Sequence, residues 1–203
     1  MPIESLNLEG TLMPLQTPSQ TYTPEEYLVL EEVAECRHEY RDGEIVPMTG
    51  GSLNHNELTG MLCALLRFAL RGSGCRVFAS DLRVWIPECS LYTYPDVMII
   101  QGEPALQDGR TDTVLNPLLV LEVLSKSTRN YDRGDKFACY RTIPELREYV
   151  LVDQYAMHVE QFAKNEGDQW VLTELDGPDA VLAFSAVAVQ IPLSDLYENV
   201  QIG

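Results

Sequence analysis

The chain has little with which to attract a nucleic acid at long range. Its 203 residues include 14 Lys and Arg against 31 Asp and Glu, a formal net charge of −17. A surface so acidic repels phosphate unless its bases are concentrated in one place. The sequence also lacks any apolar run long enough to span a bilayer, and any basic-then-apolar N-terminal segment of the secretory kind. No membrane role is expected. The five cysteines (Cys36, Cys63, Cys75, Cys89, Cys139) are odd in number, scattered, and without C-x-x-C spacing. That argues against a disulfide framework or zinc site and predicts free thiols in a reducing cytoplasm. Three histidines stand too far apart to suggest a ligand cluster. There is no internal repeat, and the Gly50-Gly51 pair lacks the Lys-Ser/Thr of a phosphate loop.

What bases there are fall in two windows. Residues 67–83 carry Arg67, Arg71, Arg76 and Arg83 against Asp81 alone, and residues 126–147 carry six bases against three acids. These windows either track a phosphate backbone or are solvated faces. Hydrophobic content of 45% and charged content of 22% suit one globular domain, expected over 21–203 behind an arm at 1–20 rich in Pro, Thr and Ser.

Local patterns order the rest. In "TPEEYLVLEEVAEC" Thr23, Pro24 and Glu26 form a capping box at a helix start. "HEYRDGEIVPM" reads as a hairpin turning at Asp42-Gly43, and "SLNHNELTGMLCALLRFALRG" as a long amphipathic helix from Ser52 to Gly72. Strands are predicted at 75–87, 95–101 and 117–125, then a short helix at 130–142 ending before Pro144. "REYVLVD" is a further strand, "AMHVEQFAK" with "QWVLTEL" a hairpin, and "LSDLYENV" a terminal helix. The predicted class is α/β, a mixed sheet with helices packed against it and extra hairpins.

One stretch is out of character. In "PLLVLEVLSKS" (117–127) six of the first eight residues are Leu or Val, yet Glu122 sits among them. With a period of two it shares a face with Leu118, Val120 and Leu124. A lone buried carboxylate costs several kcal/mol or takes up a proton, so Glu122 needs a cation. Asp96, in "YPDVMII", is the first acid of another apolar strand. Carboxylates on adjacent strands can converge on one hard divalent ion, which takes oxygen ligands and activates water.

Asp96 after Pro95, then Glu122 inside an apolar strand, resembles the PD-(D/E)xK nucleases and their restriction-endonuclease core. More closely, "YTPEEYLVLEE", "HEYRDGEIV", "YPDVMII", "LVLEVLSKSTRNYDRGDKFACYR" and "REYVLVD" in this order resemble the Uma-two family of restriction-endonuclease-like proteins. The resemblance implies Asp96 and Glu122 as ligands of Mg²⁺ or Mn²⁺, with the Val123 carbonyl as a third, and Glu39 as an acid reaching the same site. It also departs from the superfamily pattern, because Leu124 stands where E-x-K has lysine. The lysine is implied to have moved to the next helix, at Lys136.

The resulting expectation is a metal-dependent endonuclease acting on DNA in the cytoplasm, as a homodimer where both strands are cut. Two rivals stand beside it: a non-catalytic acidic protein that binds a basic partner or mimics DNA, and a two-carboxylate glycosidase with Tyr92 and Tyr94 lining an open cleft. Glu122 could instead pair with Arg83 or Arg133. Glu39 could pair only with Arg41 or Arg37, and His55, Asp81 and Lys126 have no assigned role.

Overall fold

In the computed structural model, which describes residues 20–202, Thr23 caps α1 (Pro24–Glu32). Its hydroxyl accepts from the Glu26 N–H at 3.2 Å while the Glu26 carboxylate accepts from the Thr23 N–H at 2.8 Å. The arm expected at 1–20 lies, apart from Gln20, outside the described residues. Helix α1 buries Tyr27 against Tyr40 and Tyr92, and the Tyr27 hydroxyl donates to the His38 carbonyl at 2.7 Å. These contacts hold the hairpin of β1 (His38–Arg41) and β2 (Glu44–Pro47). Its turn has positive φ at Asp42 (43°) and Gly43 (99°), which matches the twist of the strands it joins.

Helix α2 (Leu53–Ala69) starts at the Ser52 cap and buries Leu58, Leu62 and Leu66, four residues apart along one face. The chain then lays down β3 (Cys75–Ala79), β4 (Arg83–Ile86), a 3-10 turn at Pro87–Cys89, β5 (Leu91–Thr93), β6 (Val97–Gln101), β7 (Thr113–Val114) and β8 (Leu119–Leu124). Two short helices, α3 (Arg129–Arg133) and α4 (Asp135–Tyr140), cross over to β9 (Glu148–Asp153). The hairpin of β10 (His158–Lys164) and β11 (Trp170–Asp176), the pair β12 (Val181–Ala183) and β13 (Gln190–Pro192), and α5 (Leu193–Leu196) complete it.

The strands form a six-stranded mixed sheet, β11-β10-β9-β8-β6-β3, and a five-stranded one, β2-β1-β5-β4-β7. In the first, β8 runs parallel to β9 and antiparallel to β6. Strand β8 is buried on both faces, as its composition predicts. Leu119, Leu121 and Val123 meet the apolar face of α2, while Val120 and Leu124 meet Phe137 and Tyr140 of α4 on the other side. Glu122 alternates onto the α4 face. Among the described residues no helix is long and apolar enough to cross a membrane.

Four local expectations change. The strand predicted at 75–87 is two strands in different sheets: the chain breaks at Ser80, whose φ is 48°, and leaves the larger sheet for the smaller. The helix predicted at 130–142 is broken at Gly134, and the terminal helix shrinks to four residues. Cys89 and Cys139 are joined in a disulfide, with Cα atoms 5.8 Å apart, where spacing predicts only free thiols; Cys36, Cys63 and Cys75 are free. Fifty residues separate that pair, and only the docking of α4 beside the turn before β5 brings them together.

Because the Asp42-Gly43 turn sets the register of β1, its glycine is expected to matter for stability. Gly43→Ala, at φ 99°, should lose about 1 kcal/mol, while Gly50→Ala, where an added Cβ meets nothing within 4 Å, should be near neutral. Chemical denaturation of both variants measures this, and equal midpoints would contradict it.

Candidate active site

Glu122 does have its cation. Lys136 Nζ lies 2.8 Å from Glu122 Oε1, and the Tyr140 hydroxyl donates to the same oxygen at 3.0 Å. Both charged residues are almost fully buried, Glu122 at 4% and Lys136 at 5% exposed. Helix α4 makes this possible by sinking Phe137 and Tyr140 into the core beneath β8, so that the lysine stem lies along apolar surface. Neither Arg83 nor Arg133 pairs with Glu122: they bind Asp112 and Glu160 instead.

Lys136 is shared. Its ammonium also lies 3.2 Å from Glu39 Oε1 and 3.7 Å from Asp132 Oδ1 one turn back. Glu39 comes from β1 of the other sheet, where it accepts from the Thr93 hydroxyl at 2.5 Å and from Arg41 Nε at 2.9 Å. Arg41 therefore does pair with Glu39, but Lys136 does as well.

Asp96 closes the group. The register pairs Val97 with Leu121, so Asp96, one residue before β6, stands opposite Glu122 at the open end of the ladder. Its backbone N–H lies 3.4 Å from Glu122 Oε2, and its carboxylate accepts from the Val123 N–H at 2.7 Å. In a strand the N–H and C=O of one residue point to the same side, so the Val123 carbonyl opens towards Asp96 as well. His55, in the first turn of α2, contacts both Asp96 oxygens through Nε2, at 3.1 and 3.2 Å. Gly51 seats that ring: a Cβ there would lie 2.5 Å from His55 Nδ1.

The charges in this group do not cancel. Four carboxylates (Glu39, Asp96, Glu122, Asp132) meet Lys136, Arg41 and the imidazole of His55. Burial would raise Glu39, but Lys136, the Thr93 hydroxyl and Arg41 outweigh it and hold its carboxyl down at about 2. Burial pushes Glu122 up to about 8; Lys136 opposes this, while Asp96 and Asp132 reinforce it. Burial likewise raises Asp132. Burial alone would lower the Lys136 ammonium, but Glu122 and Glu39 prevail and hold it well above its ordinary value. The Asp96 hydrogen bond raises His55.

All five sequence-predicted positions, Glu39, Asp96, Glu122, Val123 and Lys136, thus lie in one cluster. Lys126 does not join it and sits over the Tyr155 ring, 5.3 Å from its centroid. Asp81 pairs with Arg37 at the surface. Sequence reasoning did not assign Asp132, Tyr140 or Thr93 to the site. The spacing of Asp132 and Lys136, four residues apart, was the one available signal for the first.

The two buried glutamates should pull the pH dependence of stability in opposite directions. Glu39, lowered from 4.5, contributes stability that is present above 4.5 and lost as pH falls towards 2. Glu122, raised from 4.5, favours its neutral form, so its contribution is full below 4.5 and lost as pH rises through about 8. In chelator, the thermal midpoint is therefore expected to decline between pH 5 and 8. Glu122→Gln should flatten that decline, because the variant has no group titrating there, at a pH-independent cost from depriving the buried Lys136 of its nearest carboxylate. Parallel curves for the two proteins would contradict it.

Comparison with known proteins places the chain in a family. The Uma2 family model, described as "Putative restriction endonuclease", matches residues 24–194. An uncharacterised Synechocystis sp. protein, sll1609, is 45% identical over 167 residues, covering 82% of this chain and 94% of its own. A second from that organism, slr1290, is 35% identical over 182 residues, 90% of this chain and 94% of its own. The crystal structure of "a putative nuclease belonging to DUF820" from Anabaena variabilis superposes with a TM-score of 0.73 at 18% identity, covering 87% of this chain and 98% of that one. At that identity the likeness speaks for the fold, a nuclease-like mixed sheet. With most of the chain matched by both the family model and the relatives, the segment pattern and the fold lead to one conclusion: the chain belongs to the Uma2 family.

Proposed function

We propose that this protein is a divalent-metal-dependent endonuclease that hydrolyses phosphodiester bonds in DNA. The observation that carries this reading is the pairing of Asp96 and Glu122 at the open end of the β6–β8 ladder, with a buried lysine bonded to the second. The donors suit Mg²⁺ or Mn²⁺. Glu122 Oε2 faces Asp96 while Oε1 is occupied by Lys136 and Tyr140, and the Val123 carbonyl adds a neutral oxygen. Among the described residues no three His, Cys, Asp or Glu side chains are arranged to hold an ion together. Two carboxylates, a carbonyl and water are a sparse set, of the kind Mg²⁺ accepts because it keeps several waters. The excess of carboxylates and the raised Glu122 favour a cation that would displace its proton.

Asp96, Glu122 and the Val123 carbonyl would hold the ion. When bound, it would polarise the scissile phosphate and lower the pKa of an attacking water. Lys136, protonated and fixed by Glu122 and Glu39, would orient that water and neutralise charge developing on the phosphate. Glu39, itself held by the Thr93 hydroxyl, holds the lysine from the opposite sheet; Tyr140 fixes the Glu122 rotamer, and His55 that of Asp96.

Contact with the DNA backbone would fall to the exposed Lys126 and Arg129 beyond the end of β8, with a homodimer supplying a second site for a double-strand cut. Arg133 contributes less than its place in the basic window suggests, because Glu160 already binds it. The glycosidase reading loses its support: Tyr92 and Tyr94 are buried in the core and line no open cleft. The net charge of −17 keeps one alternative in view, an acidic protein that binds a basic partner on this fold.

Nicking of supercoiled plasmid in Mg²⁺ or Mn²⁺, with titration calorimetry of the metal, tests this. Asp96→Asn is expected to lose metal binding. Lys136→Ala should keep metal affinity within about threefold and lose at least ~100-fold in cleavage. Lys126→Ala should weaken only DNA affinity. Full cleavage by Lys136→Ala would overturn the assignment, and metal-independent binding to a basic protein with no nicking would favour the acidic-partner reading.

A further inference from the structure

We propose that Cys89 and Cys139 form a reversible thiol–disulfide site that locks the candidate active site together. The bond closes a loop that contains Asp96, Glu122, Val123, Asp132 and Lys136. Its two ends lie on different layers. Cys89 ends the turn before β5, whose Leu91 and Tyr92 pair with Arg41 and Tyr40 of β1, on either side of which the chain carries Glu39 and the hairpin turn. Cys139 lies on α4, three residues after Lys136. The disulfide therefore fastens the sheet that carries Glu39 to the helix that carries Lys136.

The same junction is crossed by the apolar core that Leu91 and Ile86 share with Phe137 and Tyr140, by Lys136 to Glu39 at 3.2 Å, and by the Arg41 guanidinium over the Tyr131 ring at 3.8 Å. The disulfide is the covalent link among them. It adds a covalent tie to the noncovalent ones and restricts how far the layers can separate. The pair is also within reach. Both cysteines are half-buried, and a surface cleft of about 300 Å³, lined by Arg41, Leu91, Tyr131 and Asp135, opens beside them. A thiolate can approach there, past a lining that carries Arg41 together with Asp42 and Asp135.

The exchange balances with a protein dithiol as the reductant. One of its thiolates attacks a sulfur of the Cys89–Cys139 bond, giving a mixed disulfide and one free cysteine. Its second thiol then displaces the other cysteine and leaves as a disulfide. Two electrons and two protons pass to the cysteine pair, and a disulfide oxidant reverses the step. In a reducing compartment such a bond is held only transiently, as redox-sensing pairs are. The joined form keeps Lys136 against Glu39; the reduced form lets α4 part from the smaller sheet.

The inference rests on the nuclease reading only for its effect on cleavage. Full-length protein, oxidised with glutathione disulfide or reduced with a dithiol, is alkylated and counted by mass spectrometry, then compared by thermal unfolding and hydrogen exchange. Three reactive thiols are expected when oxidised and five when reduced. The thermal midpoint should fall by roughly 5–15 °C on reduction. Exchange should rise in 38–47 and 129–141, and plasmid nicking should drop at least tenfold. Cys89→Ser should resemble the reduced form and ignore both reagents, while reduction of the wild type serves where that variant fails to fold. Five reactive thiols after oxidation, or a midpoint and exchange pattern indifferent to redox state, would overturn the proposal. Intact thiol, midpoint and exchange responses without nicking in either form support the redox site and count against the nuclease reading alone.

Discussion

A lysine buried beneath the end of a strand is the constraint on which the rest depends. Lys136 can stay charged there only if carboxylates surround it, and Glu122, Glu39 and Asp132 do. Those three come from a central strand of one sheet, a strand of the other, and the preceding helix. Removing one partner from a buried ion group leaves an uncompensated charge, which costs far more than the intact group gains. The ammonium thus fixes three separate pieces of chain at one point, and that point lies beside Asp96.

The surrounding architecture serves the same end. Strand β8 runs past the start of β6, leaving the Val123 backbone to bond Asp96 instead of a neighbouring strand. The N-terminus of α2 is anchored nearby: Gln154 donates to the Leu124 carbonyl at 2.7 Å and accepts from the Ser52 hydroxyl, so the helix start and strand end share one side chain. This anchor holds His55 over Asp96. On the far side, the stacked tyrosines beneath α1 hold β1, and with it Glu39, against β5.

Much of this was legible because the signals were local. Alternation along β8 placed Glu122 on a buried face, and that mismatch alone demanded a cation. The caps at Thr23 and Ser52 and the Asp42-Gly43 turn follow from side-chain and φ preferences that need no tertiary context. The unread parts depend on which layer an element joins. β3 and β4 have the same apolar-rich composition, and nothing between Cys75 and Ile86 says that the chain changes sheet at Ser80. Asp132 and Tyr140 look like ordinary helix residues until α3 and α4 are packed under β8. The Cys89–Cys139 contact likewise depends on where α4 docks.

If the nuclease reading holds, the Asp96–Glu122 pair is a cation site. Its most direct test is anomalous diffraction from a crystal grown with Mn²⁺. One strong peak is expected within ~2.0–2.6 Å of oxygens of Asp96, Glu122 and the Val123 carbonyl, with Lys136 still on Glu122. Saturating Mn²⁺ that leaves no peak there, or that binds only elsewhere on the acidic surface, would contradict it.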